Sequence, residues 1–201
     1  MKTKNLFLLA ALIAGLGLIP AGRSTAQTFT VLHSFTATNG VAGTNGDGAT
    51  PYAGLVLSGK TLYGATYGGG NSGKGSVFAV NTDGKGFTNL YSFTANTGPD
   101  YTDYTNSDGA YPQAGLILSG NTLYGTARAG GTHKNGTVFA VNTDGTGFTN
   151  LHTFFGSDGA NPDAGLILSG TTLYGTTTGG GSWRQHAESG GRGQTVECSE
   201  L

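Results

Sequence analysis

The sequence predicts an all-β protein made of a tandem repeat, and three observations lead to this fold class. Short apolar runs recur along the chain, a unit of about fifty residues recurs with them, and glycine accounts for 38 of the 201 residues. Such runs, rich in Val, Ile, Leu, Tyr and Phe and bounded by Gly, Asn, Asp or Ser, are typical of strands and too short for stable helices. Disordered segments lack these aromatic and β-branched residues, so most glycines are expected at turns and bulges that need a positive φ.

Residues 1–26 have the pattern of a signal peptide. Lys2 and Lys4 precede an apolar run over residues 6–19, and small residues lead up to Ala26. The run is shorter than the roughly 20 residues that a membrane-spanning helix needs. We therefore expect an exported protein, secreted or in the cell envelope, with cleavage near Ala26 and no transmembrane span in the mature chain; a retained anchor is the alternative.

Residues 27–181 form the predicted repeat domain, in which one unit occurs three times. Repeat 1 starts at Asp47, repeat 2 at Asp108 and repeat 3 at Asp158. Repeat 2 reads DGAYPQAGLILSG, NTLYGTARAGG, GTVFAVNTDGTG and FTNLHTF, and repeat 1 follows it phrase by phrase. Repeat 3 begins with DGANPDAGLILSG and departs from the pattern after Gly181.

Each complete repeat predicts four antiparallel strands, from the runs AGLIL, TLYGT, TVFAV and FTNLHTF in that order. Ser-Gly-Asn or Ser-Gly-Thr supplies a tight turn after the first run. Asn-Thr-Asp-Gly supplies a hairpin after the third, because Asp-Gly tolerates the left-handed conformations of such turns. Four strands in about 40 to 50 residues make one β-propeller blade. A β-solenoid, with shorter coils, and a continuous sandwich, without so exact a repeat, are the alternatives.

The propeller predicted in this way is incomplete. FTVLHSF at residues 29–35 matches the fourth run of the repeats and is expected to be an orphan fourth strand. With two complete units and half of a third, the chain has fewer than the roughly 4 to 8 blades of closed propellers, so an open ring is expected. The second strand of repeat 3 then has a bare edge, which predicts self-association because unpaired edges recruit other chains.

Charge argues against a nucleic-acid-binding protein, and cysteine content argues against a disulfide-stabilised repeat domain. Without Lys2, Lys4 and Arg23, the mature chain has 7 basic residues against 11 acidic ones, a formal charge of −4. A mildly acidic chain without a basic cluster is not expected to bind nucleic acid, because binding phosphates needs several Lys or Arg. The single cysteine, Cys198, lies beyond the repeats, so the repeat domain is expected to fold without a disulfide.

The repeats offer few groups for catalysis. Asp47, Asp108 and Asp158 occur once per repeat, and a structural role in turns and caps through Asx hydrogen bonds is expected for them. His33 and His152 share a repeat position with Tyr91, which favours a half-buried aromatic role over metal ligation. Close histidine spacing, a nucleophile elbow and a phosphate loop are all missing from the sequence. We therefore predict no catalytic residue, no metal site and no cofactor, and a protein that is not an enzyme.

One long loop before repeat 2, ANTGPDYTDYTNS, carries the candidate binding residues. They are Asp100, Tyr101, Asp103 and Tyr104, which suit an extracellular glycan or protein because long loops on repeat scaffolds often carry recognition. A solvated, variable insertion is the alternative. A calcium site around Asp100, Asp103 and Asp108 is a further alternative, whereas the turns NTDGKG and NTDGTG lack the EF-hand pattern.

The phrases AGLILSG, LYGTTTGGG, GTVFAVNTDG and LHSF together resemble the GloVer tandem repeat, over about residues 29–181. This repeat occurs in bacterial exported proteins, the choice-of-anchor tandem repeat GloVer-containing proteins. The resemblance implies a secreted or surface-attached repeat protein and supplies no catalytic residues. A weaker likeness to kelch repeats shares the period, but the copper chemistry of some kelch-type oxidases needs a cysteine that the repeats lack.

The last segment, residues 182–201, changes composition abruptly. SWRQHAESGGRGQTVECSEL contains the only Trp and Cys of the chain and all of its Glu. It is expected to be a disordered tail, and a frameshift or truncated gene model is the expected origin of the change. The predicted function is therefore a non-catalytic binding or structural role outside the cell or in its envelope. The alternatives are a fragment of a carbohydrate-active or oxidative propeller enzyme and a truncated product without independent function.

Overall fold

The described part of the chain is all-β. A computed structural model describes residues 28–40, 43–97, 105–181 and 196–199. The chain divides into two compact units, Met1–Thr30 and Val31–Leu201. In the first unit residues 28–30 are described and have no regular structure, and every strand belongs to the second. Within the ranges described, no helix has the length and apolarity to cross a membrane, and the predicted signal peptide lies outside them.

Eleven strands form the described secondary structure. They are β1 (Val56–Ser58), β2 (Thr61–Thr66), β3 (Ser76–Asn81), β4 (Thr88–Ser92), β5 (Ile117–Ser119), β6 (Thr122–Ala127), β7 (Thr137–Asn142), β8 (Thr149–Thr153), β9 (Ile167–Ser169), β10 (Thr172–Thr176) and β11 (Val196–Ser199).

Repeats 1 and 2 each form one four-stranded antiparallel sheet. The strand orders are β1-β2-β3-β4 and β5-β6-β7-β8, so neighbours in sequence are neighbours in space. The two sheets also share a register irregularity at the same place, between Val77 and Phe78 and between Val138 and Phe139. None of the three sheets closes on itself, and the predicted fold class, an open propeller-like array of four-stranded units, is confirmed.

The glycine of the Asn-Thr-Asp-Gly hairpin is required both by its backbone and by its neighbour. Gly145 has a φ of 85°, which side chains rarely tolerate. A Cβ atom there would lie 2.8 Å from the backbone oxygen of Leu90, in the fourth strand of the preceding repeat. The hairpin thus packs closely on its neighbour because it ends in glycine.

Repeat 3 differs from the expectation of a disordered tail. Strand β11 occupies the third-strand position and pairs antiparallel with β10, from Leu173 opposite Ser199 to Thr176 opposite Val196. Residues 196–199 of the tail therefore form a strand, and the edge of β10 that was expected to be bare is occupied. Strand pairing uses backbone groups, which every sequence has. The composition of the tail therefore does not show that residues 196–199 form a strand. The other tail residues lie outside the described ranges.

Residues 29–35, where the sequence predicts an orphan fourth strand, have no regular structure. No strand is assigned to residues 28–38. Strands β4 and β8 are held by the third strand of their own repeat, and none of the described residues supplies such a neighbour for this segment. Its side chains nevertheless pack as expected, since the ring of His33 stacks on Phe87 with centroids 3.7 Å apart.

Candidate functional site

The predicted binding residues, Asp100, Tyr101, Asp103 and Tyr104, lie outside the described residues. The two stems of their loop are joined, because the backbone N–H of Thr97 donates to the backbone oxygen of Thr105 at 2.8 Å. The loop therefore leaves and re-enters the repeat array at one point, directly before Asp108.

The aspartate that opens repeat 2 holds the end of the preceding strand β4. Asp108 is buried, and its carboxylate accepts hydrogen bonds from the Tyr91 hydroxyl at 2.7 Å and from the backbone N–H and hydroxyl of Thr94 at 2.8 and 2.5 Å. These partners lie 14 to 17 residues upstream and outside the turn of the aspartate itself. These three hydrogen bonds use most of the accepting capacity of the Asp108 carboxylate, and Asp100 and Asp103 of the alternative calcium site lie outside the described residues.

The same contact recurs at the start of repeats 1 and 3. Asp47 contacts Nε2 of His33 at 3.1 Å and accepts hydrogen bonds from the backbone and hydroxyl of Thr36. Asp158 contacts Nε2 of His152 at 3.0 Å and accepts a hydrogen bond from the backbone N–H of Phe155. The predicted aromatic role of the histidine position thus has a polar component, in which each ring reaches an aspartate.

Burial and hydrogen bonding shift the acidity of two of these groups. Burial works to raise the pKa of Asp47, but the hydrogen bonds from Thr36 and His33 outweigh it and hold the pKa below its ordinary value of 3.8. Burial and the hydrogen bond to the Asp108 carboxylate both raise the pKa of the Tyr91 hydroxyl. Asp47 is therefore an anion, and Tyr91 a neutral donor, at physiological pH.

One asparagine that the sequence reasoning missed completes the junction at the start of repeat 1, and another completes the junction at the start of repeat 2. Asn106 is buried, and its amide nitrogen donates to the backbone oxygens of Thr94 and Gly109 at 3.2 and 2.8 Å. Its side-chain oxygen accepts from the backbone N–H groups of Gly109 and Gly131 at 2.9 and 2.8 Å. Asn45 makes the equivalent bonds in repeat 1. The shared pattern Asn-X-Asp-Gly was the available signal.

Aromatic rings fill the interface between repeats 1 and 2. Tyr91 stacks on Phe148 with centroids 3.8 Å apart, and Phe93 meets Phe139 edge-on at 5.2 Å. Phe93 and Phe139 are fully buried. The N-terminal segment packs on repeat 1 through the corresponding pairs, His33 with Phe87 and Phe35 with Phe78, at 3.7 and 5.3 Å.

The interface between repeats 2 and 3 contains a cavity of about 240 Å³ instead. Its walls include His152, Phe154, Leu166 and Leu173. These residues correspond to Tyr91, Phe93, Leu116 and Leu123 at the filled interface. The cavity arises because repeat 3 departs from the pattern after Gly181 and offers no counterparts of Phe139 and Phe148.

The chemistry of this cavity favours an apolar occupant over a reaction. Apart from threonine hydroxyls, its polar lining is the His152–Asp158 pair, and Asp158 also accepts the backbone N–H of Phe155. Within the described part of the chain no group of three potential metal ligands comes together. The arrangement can bury a small hydrophobic or aromatic group but shows no positioned nucleophile or acid.

Comparison with known proteins supports the reading of the chain as a repeat protein. A family model described as the Gloeobacter/Verrucomicrobia repeat matches residues 101–190. The match covers repeat 2 and the start of repeat 3, and it confirms the resemblance found from the repeated phrases. No curated protein matches the chain.

Proposed function

We propose that this chain, a GloVer repeat-containing protein, is exported and acts without catalysis, as a binding or structural component outside the cell or in its envelope. The non-catalytic role is supported by the hydrogen bonds that the polar groups of the repeats make within the array. The location outside the cytoplasm is supported by the signal-peptide pattern of residues 1–26.

The observation that carries the proposal is that the repeated carboxylates serve the junctions between repeats. Asp47, Asp108 and Asp158 each accept hydrogen bonds from the segment that precedes their own repeat. A carboxylate that already accepts several hydrogen bonds is a poor general base, because those bonds stabilise its charged form. These three carboxylates are thus committed to holding the array together.

The enzyme alternative has one feature in its favour, which is that the His152–Asp158 pair lines a cavity. The same pair occurs as His33 and Asp47, where the ring of His33 is stacked on Phe87 and no space for a substrate remains beside that face. A pair that recurs at a filled junction is best explained by structure. The open face of His152 then results from the missing aromatic partners.

Recognition is assigned to the loop of residues 98–104. Tyr101 and Tyr104 supply aromatic surface for a sugar ring or a protein side chain, and Asp100 and Asp103 supply hydrogen-bond acceptors. Binding to an array of polysaccharides and cell-surface proteins is the experiment. Tyr101→Ala with Tyr104→Ala should abolish binding, whereas Tyr52→Ala, at an exposed tyrosine of repeat 1, should leave it unchanged. Equal binding by both variants would remove the loop from the proposal.

Two further measurements test the class and the location. Incubation with a panel of polysaccharides should yield no products, and hydrolysis that disappears in Asp100→Ala or Asp103→Ala would establish an enzyme. Expression in a bacterial host should yield a protein outside the cytoplasm whose first residue is Gln27. A cytoplasmic protein that retains residues 1–26 would contradict export.

A further inference from the structure

Apart from Tyr52 and Phe155, the exposed large hydrophobic side chains of the repeats lie on two faces. The front face of repeat 1, on the side away from repeat 2, exposes Leu55 and Leu57, by 48% and 56%. The back face of repeat 3, on the side away from repeat 2, exposes Ile167 by 67%. An exposed hydrophobic residue is ordinary when it stands alone, so the repeat equivalents of these residues decide what the exposure means.

Each of these residues has buried or packed equivalents where two repeats meet. Leu116 and Leu166, the counterparts of Leu55, are 7% and 6% exposed. Leu118, the counterpart of Leu57 in repeat 2, packs in the core between repeats 1 and 2. The front face of repeat 1 therefore has the composition of a repeat–repeat interface, and none of the described residues forms a repeat in front of it.

Ile167 shows the same relation on the back face. Its counterparts are Val56, which packs in the core between repeats 1 and 2, and Ile117, which packs in the core between repeats 2 and 3. Both counterparts lie on the side of their repeat that faces the next one. The back face of repeat 3 is thus the type of surface that packs against the front face of a following repeat.

The two ends of the array also complement each other in backbone hydrogen bonding. In the part of the chain that the structure describes, one end has a free strand edge, and the other has a segment with the sequence of a strand. Strand β11 is the outer strand of the order β11-β10-β9, so its far edge has no strand beside it among the described residues. In repeats 1 and 2 that edge is occupied by β4 and β8. Residues 31–35 have the sequence of this fourth strand but no strand assignment.

We propose that a second copy of this chain docks head to tail on the first. The front face of repeat 1 in one copy covers the back face of repeat 3 in the other, and residues 31–35 of the first copy pair with β11 of the second as its fourth strand. This partner is favoured because one chain carries both halves of the contact. The cores between repeats 1 and 2 and between repeats 2 and 3 show how equivalent faces pack on each other.

The pairing has a defined register. In repeat 2, Val138 lies opposite His152 and Phe139 lies opposite Asn150. Strand β11 pairs with β10 so that Val196 takes the position of Val138. Transfer of the register places Val196 opposite His33, and Glu197 opposite Val31, of the other copy. Strand addition of this kind provides main-chain hydrogen bonds, and the covered side chains provide specificity.

The contact is heterologous, which makes a complementation experiment possible. Leu57→Asp disrupts the front face of repeat 1, and Ile167→Asp disrupts the back face of repeat 3. Each variant would bury an unpaired charge in the contact between two copies. Alone, each variant should be monomeric by light scattering, at concentrations where the unchanged full chain is at least dimeric. Mixed in equal amounts, the two variants should form one dimer, because one supplies an intact back face and the other an intact front face.

Phe155→Asp is the matched control, because Phe155 is 58% exposed and lies between repeats 2 and 3. It should associate like the unchanged chain. Leu57→Thr and Ile167→Thr replace the aspartate variants if circular dichroism shows that these do not fold. Reducing buffer excludes disulfides through Cys198. A monomeric unchanged chain, a variant pair that stays monomeric on mixing, or an effect of only one of the two variants would overturn the proposal.

A cross-link tests the strand pairing separately. In a Cys198→Ser background, Val31→Cys with Glu197→Cys places cysteines opposite each other, where antiparallel Cα atoms lie about 4.5 to 5.5 Å apart and a disulfide fits. Oxidation should yield covalent dimers. Ser34→Cys with Glu197→Cys, three residues out of register, should yield at least about tenfold fewer. Equal yields from both pairs would exclude this register.

Discussion

At the scale of single residues, the junctions between repeats depend on fully hydrogen-bonded polar side chains. Asn106 satisfies two buried backbone donors and two backbone acceptors at once. Asp47 accepts hydrogen bonds from both the backbone and the hydroxyl of Thr36. Such groups stabilise a fold mainly through the cost of leaving their partners unsatisfied.

Asn106→Ala should therefore lower the free energy of unfolding by about 2 to 3 kcal/mol, because the N–H groups of Gly109 and Gly131 lose their acceptor in a buried place. Urea unfolding followed by circular dichroism measures the change. Asn121→Ala, at an exposed asparagine, should cost less than about 0.5 kcal/mol. Equal costs for the two variants would show that the Asn106 bonds contribute nothing specific.

Asp47 should make stability depend on pH in the acid range. Its pKa is lower in the folded protein than its ordinary value of 3.8, so its contribution is complete above that value and is lost as the pH falls through the folded pKa. Unfolding midpoints from pH 7 to pH 2 should fall less steeply at the acid end for Asp47→Asn than for the unchanged chain. Parallel curves would contradict the assignment.

At the scale of structural elements, aromatic rings on the third strand and the following hairpin seal one repeat against the next. Phe139 on β7 is fully buried against Phe93. The ring of Phe139 lies close over strand β6 because residue 125 below it is a glycine. A Cβ atom on Gly125 would lie 2.6 Å from the ring of Phe139. Ring and glycine therefore form one packing unit across two neighbouring strands.

Phe139→Ala should cost about 3 to 5 kcal/mol, the usual range for removing a fully buried phenylalanine ring and leaving a cavity. Thermal and urea unfolding measure it. Phe155→Ala, at a ring that is 58% exposed, should change stability by less than about 0.5 kcal/mol. A small effect of Phe139→Ala would mean that the interface collapses around the missing ring.

At the scale of the whole molecule, stability should decrease from repeat 2 to repeat 3. Repeat arrays gain stability from interfaces between neighbours, and the interface between repeats 2 and 3 contains a cavity where the preceding one holds two phenylalanine rings. Strands that open locally are those with few buried contacts. Repeat 3 is accordingly the part expected to open first.

Hydrogen exchange provides a matched comparison, because β6 and β10 share the sequence TLYGT and hence their intrinsic exchange rates. The amides of β10 should exchange at least about tenfold faster than those of β6. The experiment belongs at a dilution where the chain is monomeric, so that docking does not protect β10. Equal protection would show that the cavity does not weaken repeat 3.

Sequence reasoning reached the fold class and the strand order but not the candidate site. Short apolar runs and Asp-Gly turns report local preferences, and these agree with the four-stranded sheets of repeats 1 and 2. The role of Asn106 was not predicted because its partners include Gly131, which lies 25 residues away along the chain. Spacing in sequence does not show which backbone groups come together around a side chain. The candidate loop residues stay a prediction.

The sequence by itself determined where strands and turns form, because alternating apolar residues and positive-φ glycines act within a few residues of the chain. Only the tertiary structure decided which copies of a phrase are buried. The identical TLYGT places Thr126 at 2% exposure in β6, while Thr176 in β10 is exposed. It also decided that residues 196–199 become a strand and that residues 31–35 do not, since a strand needs a partner, and partners are set by the packing of distant segments.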